Sequence, residues 1–103
     1  MRTVGEMRTS LVIGWLEVEP DAYRAVVGGR PVALSPSQLE LLRFLVANRD
    51  RVVSRTELAK AAGLEQRASV DVVLSSLRRL LGDGFVRNVR NRGWILEPAA
   101  FGR

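Results

Sequence analysis

Two serine-led capping boxes restrict the folds open to this chain more than any other feature of its sequence. Ser35-Pro36-Ser37-Gln38 and Ser54-Arg55-Thr56-Glu57 each place a hydroxyl where it can accept the N3 backbone N–H, with Gln38 or Glu57 reaching back to the cap. Each box starts a helix, and Pro36 suits a first helical position because its missing N–H has no intrahelical partner to lose. After the first box, Leu39, Leu42, Leu45 and Val46 recur at helical spacing, which predicts a core helix running to about Asn48. After the second, Leu58, Ala59 and Ala62 predict a short helix that Gly63 stops. Ala68 to Leu81 contains neither Gly nor Pro and reads as a third helix, capped at Ser69 and ended by Gly82.

Strand signals flank this helical block on both sides. From Ser10 to Pro20, short β-branched and aromatic runs are broken at Gly14 and at Pro20-Asp21. Tyr23 to Val27 and Pro31 to Leu34 then flank Gly28-Gly29-Arg30, a tight hairpin turn. The N-terminal third is thus expected to be an antiparallel sheet of three or four strands, with Trp15 and Tyr23 packing on it. Beyond Gly82-Asp83-Gly84, FVRNVRNRGWIL gives two alternating runs around Asn91-Arg92-Gly93, where Gly93 can supply a positive φ. This predicts a second hairpin, with Arg90 and Arg92 at or near its tip and Arg87 farther down. The fold class is α+β: an N-terminal antiparallel sheet, three helices with a helix-turn-helix, and a C-terminal β-hairpin wing. The expected domain covers residues 10–98, between a linker or disordered N-terminus at 1–9 and a C-terminal tail at 99–103.

Charge is distributed unevenly along this order. Residues 1–42 carry four basic and five acidic side chains, whereas residues 43–103 carry twelve basic and six acidic ones. The formal net charge of +5 therefore belongs to the helical and wing region. Density peaks where Arg78, Arg79, Arg87, Arg90 and Arg92 face a single acid, Asp83. On a helical wheel, Val70, Leu74, Leu77 and Leu81 fall within a sector of about 60°, a core stripe. Asp71, Val72, Ser75, Arg78 and Arg79 fall outside it. A face of small hydroxyls and arginines can approach an anionic surface closely, and an arginine-bearing hairpin tip buries nothing that the fold needs. Together they predict a helix-plus-wing reader of duplex DNA, with helix 69–81 in the major groove and wing 85–97 on the backbone or in the minor groove.

Several chemistries are excluded by composition. The chain has no His and no Cys, which removes zinc sites of the usual ligand types, disulfides, a thiol nucleophile and a Ser-His-Asp triad. Asp71 and Asp83 stand isolated among arginines, and no phosphate-binding loop is present. No catalytic role, metal or cofactor is expected. No apolar run approaches the length of a membrane span, and MRTVGEMRTS lacks the apolar segment of a signal peptide, so a cytoplasmic protein is expected.

The order of sheet, capped helix, short helix, basic helix and hairpin resembles the winged-helix effector domain of the OmpR/PhoB-type response-regulator transcription factors. The resemblance covers about Leu11 to Leu96 and is carried by VALSPSQLELLRFLVAN, VVSRTEL, SVDVVLSSLRRLLG and VRNVRNRGW. The DNA-binding domain of the streptomycete antibiotic regulators shares this architecture. The resemblance implies helix contacts at Ser75, Ser76, Arg78 and Arg79, and wing contacts at Asn88, Arg90 and Arg92. Arg78 is the first choice for a base edge, since arginine reads guanine bidentately, and Arg79 and the wing arginines for phosphate. The resemblance further implies head-to-tail tandem dimers on direct-repeat half-sites, and RNA polymerase as a partner through the loop between the second and third helices. That loop, Gly63 to Ser69, is shorter than the family's usual one and lacks its aromatic. Residues Ala68, Val73, Ser75 and Ser76 stand where relatives often carry basic or His side chains. No receiver domain fits in 103 residues, so either an effector domain separated from a larger regulator or a stand-alone regulator is expected. The competing expectation is a winged-helix protein-interaction module that does not bind DNA.

Overall fold

Alternation of side chains between two faces builds the N-terminal layer. The computed structural model describes residues 11–66 and 68–102, so the linker expected at 1–9 lies outside the described residues. Strands β1 (Leu11–Ile13), β2 (Leu16–Glu19), β3 (Arg24–Val27) and β4 (Arg30–Ala33) form an antiparallel sheet in sequence order. The register sets Val18 opposite Ala25 and Ala25 opposite Val32, a row that is buried throughout. One residue along, Glu17, Val26 and Pro31 form a row on the other face. Val27 pairs with Arg30, leaving Gly28 and Gly29 as a two-residue loop with φ of 56° and 84°. Two successive positive φ values give the hairpin turn whose twist matches that of the strands.

Helices α1 (Pro36–Ala47), α2 (Arg55–Ala61) and α3 (Ala68–Leu81) follow. Both capping boxes form as the sequence predicts. Gln38 N–H donates to Ser35 Oγ at 3.2 Å and Ser35 N–H to Gln38 Oε1 at 2.8 Å; the Glu57/Ser54 equivalents are 3.0 and 2.9 Å. Helix α1 buries Leu39, Leu41, Leu42, Leu45 and Val46, a wider face than one stripe, because it packs against β1, α2, α3 and the wing. Leu41 is the residue that the single-stripe reading omits.

The Ser54 N–H bond and the neighbouring Arg51 guanidinium hold the Glu57 carboxyl below the usual carboxylate range. A carboxyl whose folded pKa is lowered contributes stability above its unfolded pKa, about 4.3, and loses that contribution as pH falls through the folded value. Glu57→Gln is therefore expected to flatten the acid limb of melting temperature against pH while leaving the alkaline limb in place. Thermal melts from pH 7 down to pH 3 check this.

The wing consists of β5 (Val86–Val89) and β6 (Gly93–Leu96). The expected boundary at residue 98 and the tail from residue 99 need correction as far as residue 102, residue 103 lying outside the described residues. A 3-10 turn at Pro98–Phe101 returns the chain to the β1–β2 turn, where Trp15 N–H donates to the Phe101 carbonyl at 2.8 Å and Phe101 is 1% exposed within the core. Burying an aromatic of this size outweighs the freedom of a terminal segment. Trp15 and Tyr23 are also corrected, being 59% and 49% exposed rather than packed on the sheet.

Candidate nucleic-acid interface

Helix α3 spans Ala68–Leu81, the stretch that the sequence leaves free of Gly and Pro, with Ser69 N–H bonded to the Gln66 carbonyl at 3.1 Å. Ser69 thus lies in the first turn and is not the cap. Val70, Leu74 and Leu77 are fully buried as the wheel predicts, while Leu81 is half-buried. Asp71, Val72, Ser75 and Arg79 are exposed, Val72 at 70%. The helix's one acid does not repel an approaching anion unscreened, because Asp71 Oδ1 is 3.1 Å from Arg55 Nη2 at the start of α2.

Arg78 departs from the wheel in an informative way. Its guanidinium lies over the Trp94 ring of β6, 5.1 Å from the ring centroid, and its Nε is buried without a hydrogen-bond partner. The side chain is half-buried and links helix to wing by a cation–π contact. A helical wheel sees one helix and cannot register a neighbour that lies against its outer face. Ser76 is also half-buried, with its hydroxyl engaged by protein groups on both sides.

At the wing, Asn88 pairs with Trp94 and Val89 with Gly93, which leaves Arg90, Asn91 and Arg92 as the tip. The left-handed residue of the turn is Asn91, at φ 64°. Gly93, at φ 145°, serves a second need: a Cβ there would sit 1.9 Å from the Val53 carbonyl oxygen. That close approach belongs to a bridge which sequence reasoning missed. Val53 N–H donates to Trp94 O and Trp94 N–H to Val53 O, both at 2.8 Å, so the residue just before the Ser54 cap is bridged to β6 of the wing. The signal available was the β-branched pair Val52-Val53, too short to stand as a strand alone.

Pairing separates the arginines into two groups. Arg87 is engaged by Glu97, Arg55 by Asp71, and Arg78 by the Trp94 face. Arg79, Arg90 and Arg92 are exposed and have no ion-pair partner among the described residues. Asn88 Nδ2 donates to Gly93 O at 2.9 Å across the hairpin, leaving one amide hydrogen and the carbonyl oxygen free. Arg55 and the wing from Asn88 to Trp94 line a shallow concave surface. The fold thus brings the outer face of α3, the first turn of α2 and the wing tip into one cationic region. Of the predicted contact residues, Ser75, Arg79, Arg90 and Arg92 have no side-chain partner among the described residues, whereas Ser76, Arg78 and Asn88 are engaged within the protein.

Comparison with known proteins matches this arrangement to one family. The family described as "Transcriptional regulatory protein, C terminal" matches residues 29–96. The response regulator protein PmrA of Pseudomonas aeruginosa is 32% identical, over 96% of this chain and 47% of that protein. The phosphate regulon transcriptional regulatory protein PhoB of Escherichia coli is 30% identical, over 91% of this chain and 45% of that protein. The chain spans about half the length of these curated relatives. Among solved structures, the DNA-binding domain of Escherichia coli CadC superposes with a TM-score of 0.77 at 25% identity, covering 87% of this chain and 92% of that one. The DNA-binding domain of Klebsiella pneumoniae RstA, in complex with the RstA box, gives 0.76 at 29% identity, covering 88% and 99%.

Proposed function

Since this chain belongs to the family of transcriptional regulatory protein C-terminal domains, we propose that it is a sequence-specific double-stranded DNA-binding transcription regulator. The observation that carries this reading is the sorting of the arginines: Arg79, Arg90 and Arg92 are exposed on two adjoining elements with no ion-pair partner among the described residues, while the nearby acids Asp71 and Glu97 are paired. Helix α3 enters the major groove and the wing lies on the backbone or in the adjacent minor groove. Arg79, Arg90 and Arg92 contact phosphates, and Asn88 adds a wing contact through its remaining N–H, the other being bonded to the Gly93 carbonyl. Ser75, small and exposed, lets the helix approach the base edges. Arg78 reads a base through its terminal nitrogens, its guanidinium held over the Trp94 ring before DNA arrives, which lowers the ordering cost of binding.

The same reading includes head-to-tail pairing on direct-repeat half-sites, contact with RNA polymerase, and a cytoplasmic location. Family membership supports the first two. For the third, no helix among the described residues is long and apolar enough to cross a membrane. No catalytic role is proposed. Selection of bound duplexes from a random library, followed by affinity measurement at two salt concentrations, tests the central statement. The expected result is one enriched motif whose affinity falls steeply with salt. Recovery of unenriched sequence, or no duplex binding at low salt, overturns it in favour of a protein-interaction module.

A further inference from the structure

Helix α3 is tied to its neighbours by three contacts of different kinds. Arg55 reaches it from α2 through Asp71, and Trp94 from the wing through Arg78. The third tie comes from α1. Gln38 Nε2 donates to Ser76 Oγ at 2.9 Å, and the Ser76 hydroxyl donates its single hydrogen to the Val73 carbonyl at 2.7 Å. The other end of the same Gln38 amide accepts the Ser35 N–H at 2.8 Å, closing the capping box of α1. One side chain therefore joins the first turn of α1 to the middle of α3, and both of its bonds to Ser35 and Ser76 depend on a fixed orientation of the amide plane.

We infer that Gln38 is a positioning residue for DNA recognition: through Ser76 it fixes the rotational setting of α3, and Ser76 is a strut rather than a base contact. This rests on the DNA-binding reading above. The physical need is clear from the buried stripe. Val70, Leu74 and Leu77 are aliphatic and fully buried, and apolar packing is non-directional, so it holds the helix in place more firmly than it holds its rotation about its own axis. A hydrogen bond is directional, and this one lies partly buried, away from competing water. Rotation of α3 by a fraction of a turn carries Ser75 and Arg78 off the base edges while leaving the cationic region intact. Loss of the tie therefore lowers the population of the binding-competent setting, and with it specific affinity, while phosphate-driven non-specific binding is kept.

The test is a double-mutant cycle on the whole chain, with Ser76→Ala, Gln38→Leu and the pair, each measured against the selected duplex and against a non-cognate duplex. Each single change is expected to weaken specific binding about fivefold, and the double change also about fivefold, with non-cognate affinity unchanged. Ser76→Thr, which keeps the hydroxyl, is expected to restore specific binding. Ser35→Ala removes the other half of the capping box and is expected to lower the melting temperature without changing the ratio of specific to non-specific affinity. Independent effects that multiply to about twenty-fivefold in the double variant would make Ser76 a direct DNA contact and overturn the inference. A fall in both affinities together, in step with stability, would reduce Gln38 to a general fold contact and overturn it as well. If the unaltered protein binds no duplex, the DNA-binding reading fails, and the positioning role with it.

Discussion

Replacing Arg79, Arg90 and Arg92 together by alanine is expected to lower affinity for the selected duplex by about 10²–10³ at physiological salt. These three are the exposed arginines of α3 and the wing tip without an ion-pair partner among the described residues, so the loss is not softened by the release of a freed acid. Each phosphate contact removed takes about 0.9 from the slope of log affinity against log salt, so the triple variant is shallower by about 2.7. The slope separates the proposed role from an effect on folding, since partial unfolding lowers affinity without a matching change in salt dependence. Arg43→Ala provides the control: Arg43 lies on α1 and is paired with Glu40 at 3.3 Å, away from the interface, and both affinity and slope are expected to stay near those of the parent. Titrations at four or more salt concentrations supply both quantities. Unchanged affinity and slope in the triple variant would remove the phosphate assignment and favour the protein-interaction module.

The second large effect falls on the wing's attachment. Gly93→Ala is expected to destabilise the domain by about 3–5 kcal/mol, in the range of the severest single substitutions. A Cβ at residue 93 would meet backbone on one side: Val53 O at 1.9 Å, Val53 C at 2.7 Å and Ser54 Cα at 2.9 Å. None of these is the end of a flexible side chain, and φ of 145° is strained for any L residue. Relief requires the strands to part, which breaks both 2.8 Å bonds between Val53 and Trp94. Parting them also exposes Trp94, which is 8% exposed, and loosens its stack with Arg78. Gly84→Ala makes the comparison, because a Cβ there meets no atom within 4 Å. Denaturant midpoints measure the difference, and hydrogen exchange at the Val53 and Trp94 amides locates it. A loss below about 1 kcal/mol for Gly93→Ala would show that the bridge contributes little to holding the wing.

Legibility differs sharply between the elements and the interface. The capping boxes at Ser35 and Ser54, the Gly28-Gly29 turn, the buried stripe of α3 and the hairpin with Arg90 and Arg92 at its tip are all readable from the order of residues alone. The stretch of α3 is readable but its cap is not, since a cap at Ser69 and a first turn containing it look alike in sequence. Residues 99–103 read as a tail because Phe101 stands alone, without a periodic partner to mark it as core. The interface is legible as a set of arginines but not in their division of labour. Ser75 and Arg79 face outward on the wheel and do so in the folded protein. Arg78 shares their sector, yet it stacks on a ring from β6, an element beyond the Gly82 break that ends its own helix. Ser76 comes forward through resemblance, and its engagement with Gln38 has no local signature.

What the sequence by itself determined is what depends on short stretches of chain. Helix starts follow from a hydroxyl and a carboxamide or carboxylate three residues apart, strands from alternation, the hairpin from paired glycines, and the charge contrast between sheet and wing from simple order. Tertiary structure decided which arginines remain free. Arg87 meets Glu97 and Arg55 meets Asp71, Arg78 meets Trp94, and Val53 closes on the wing. Each of these depends on the angle and distance at which separate elements pack. That geometry is set by the joint filling of one core from the sheet to Phe101, and no local pattern encodes it.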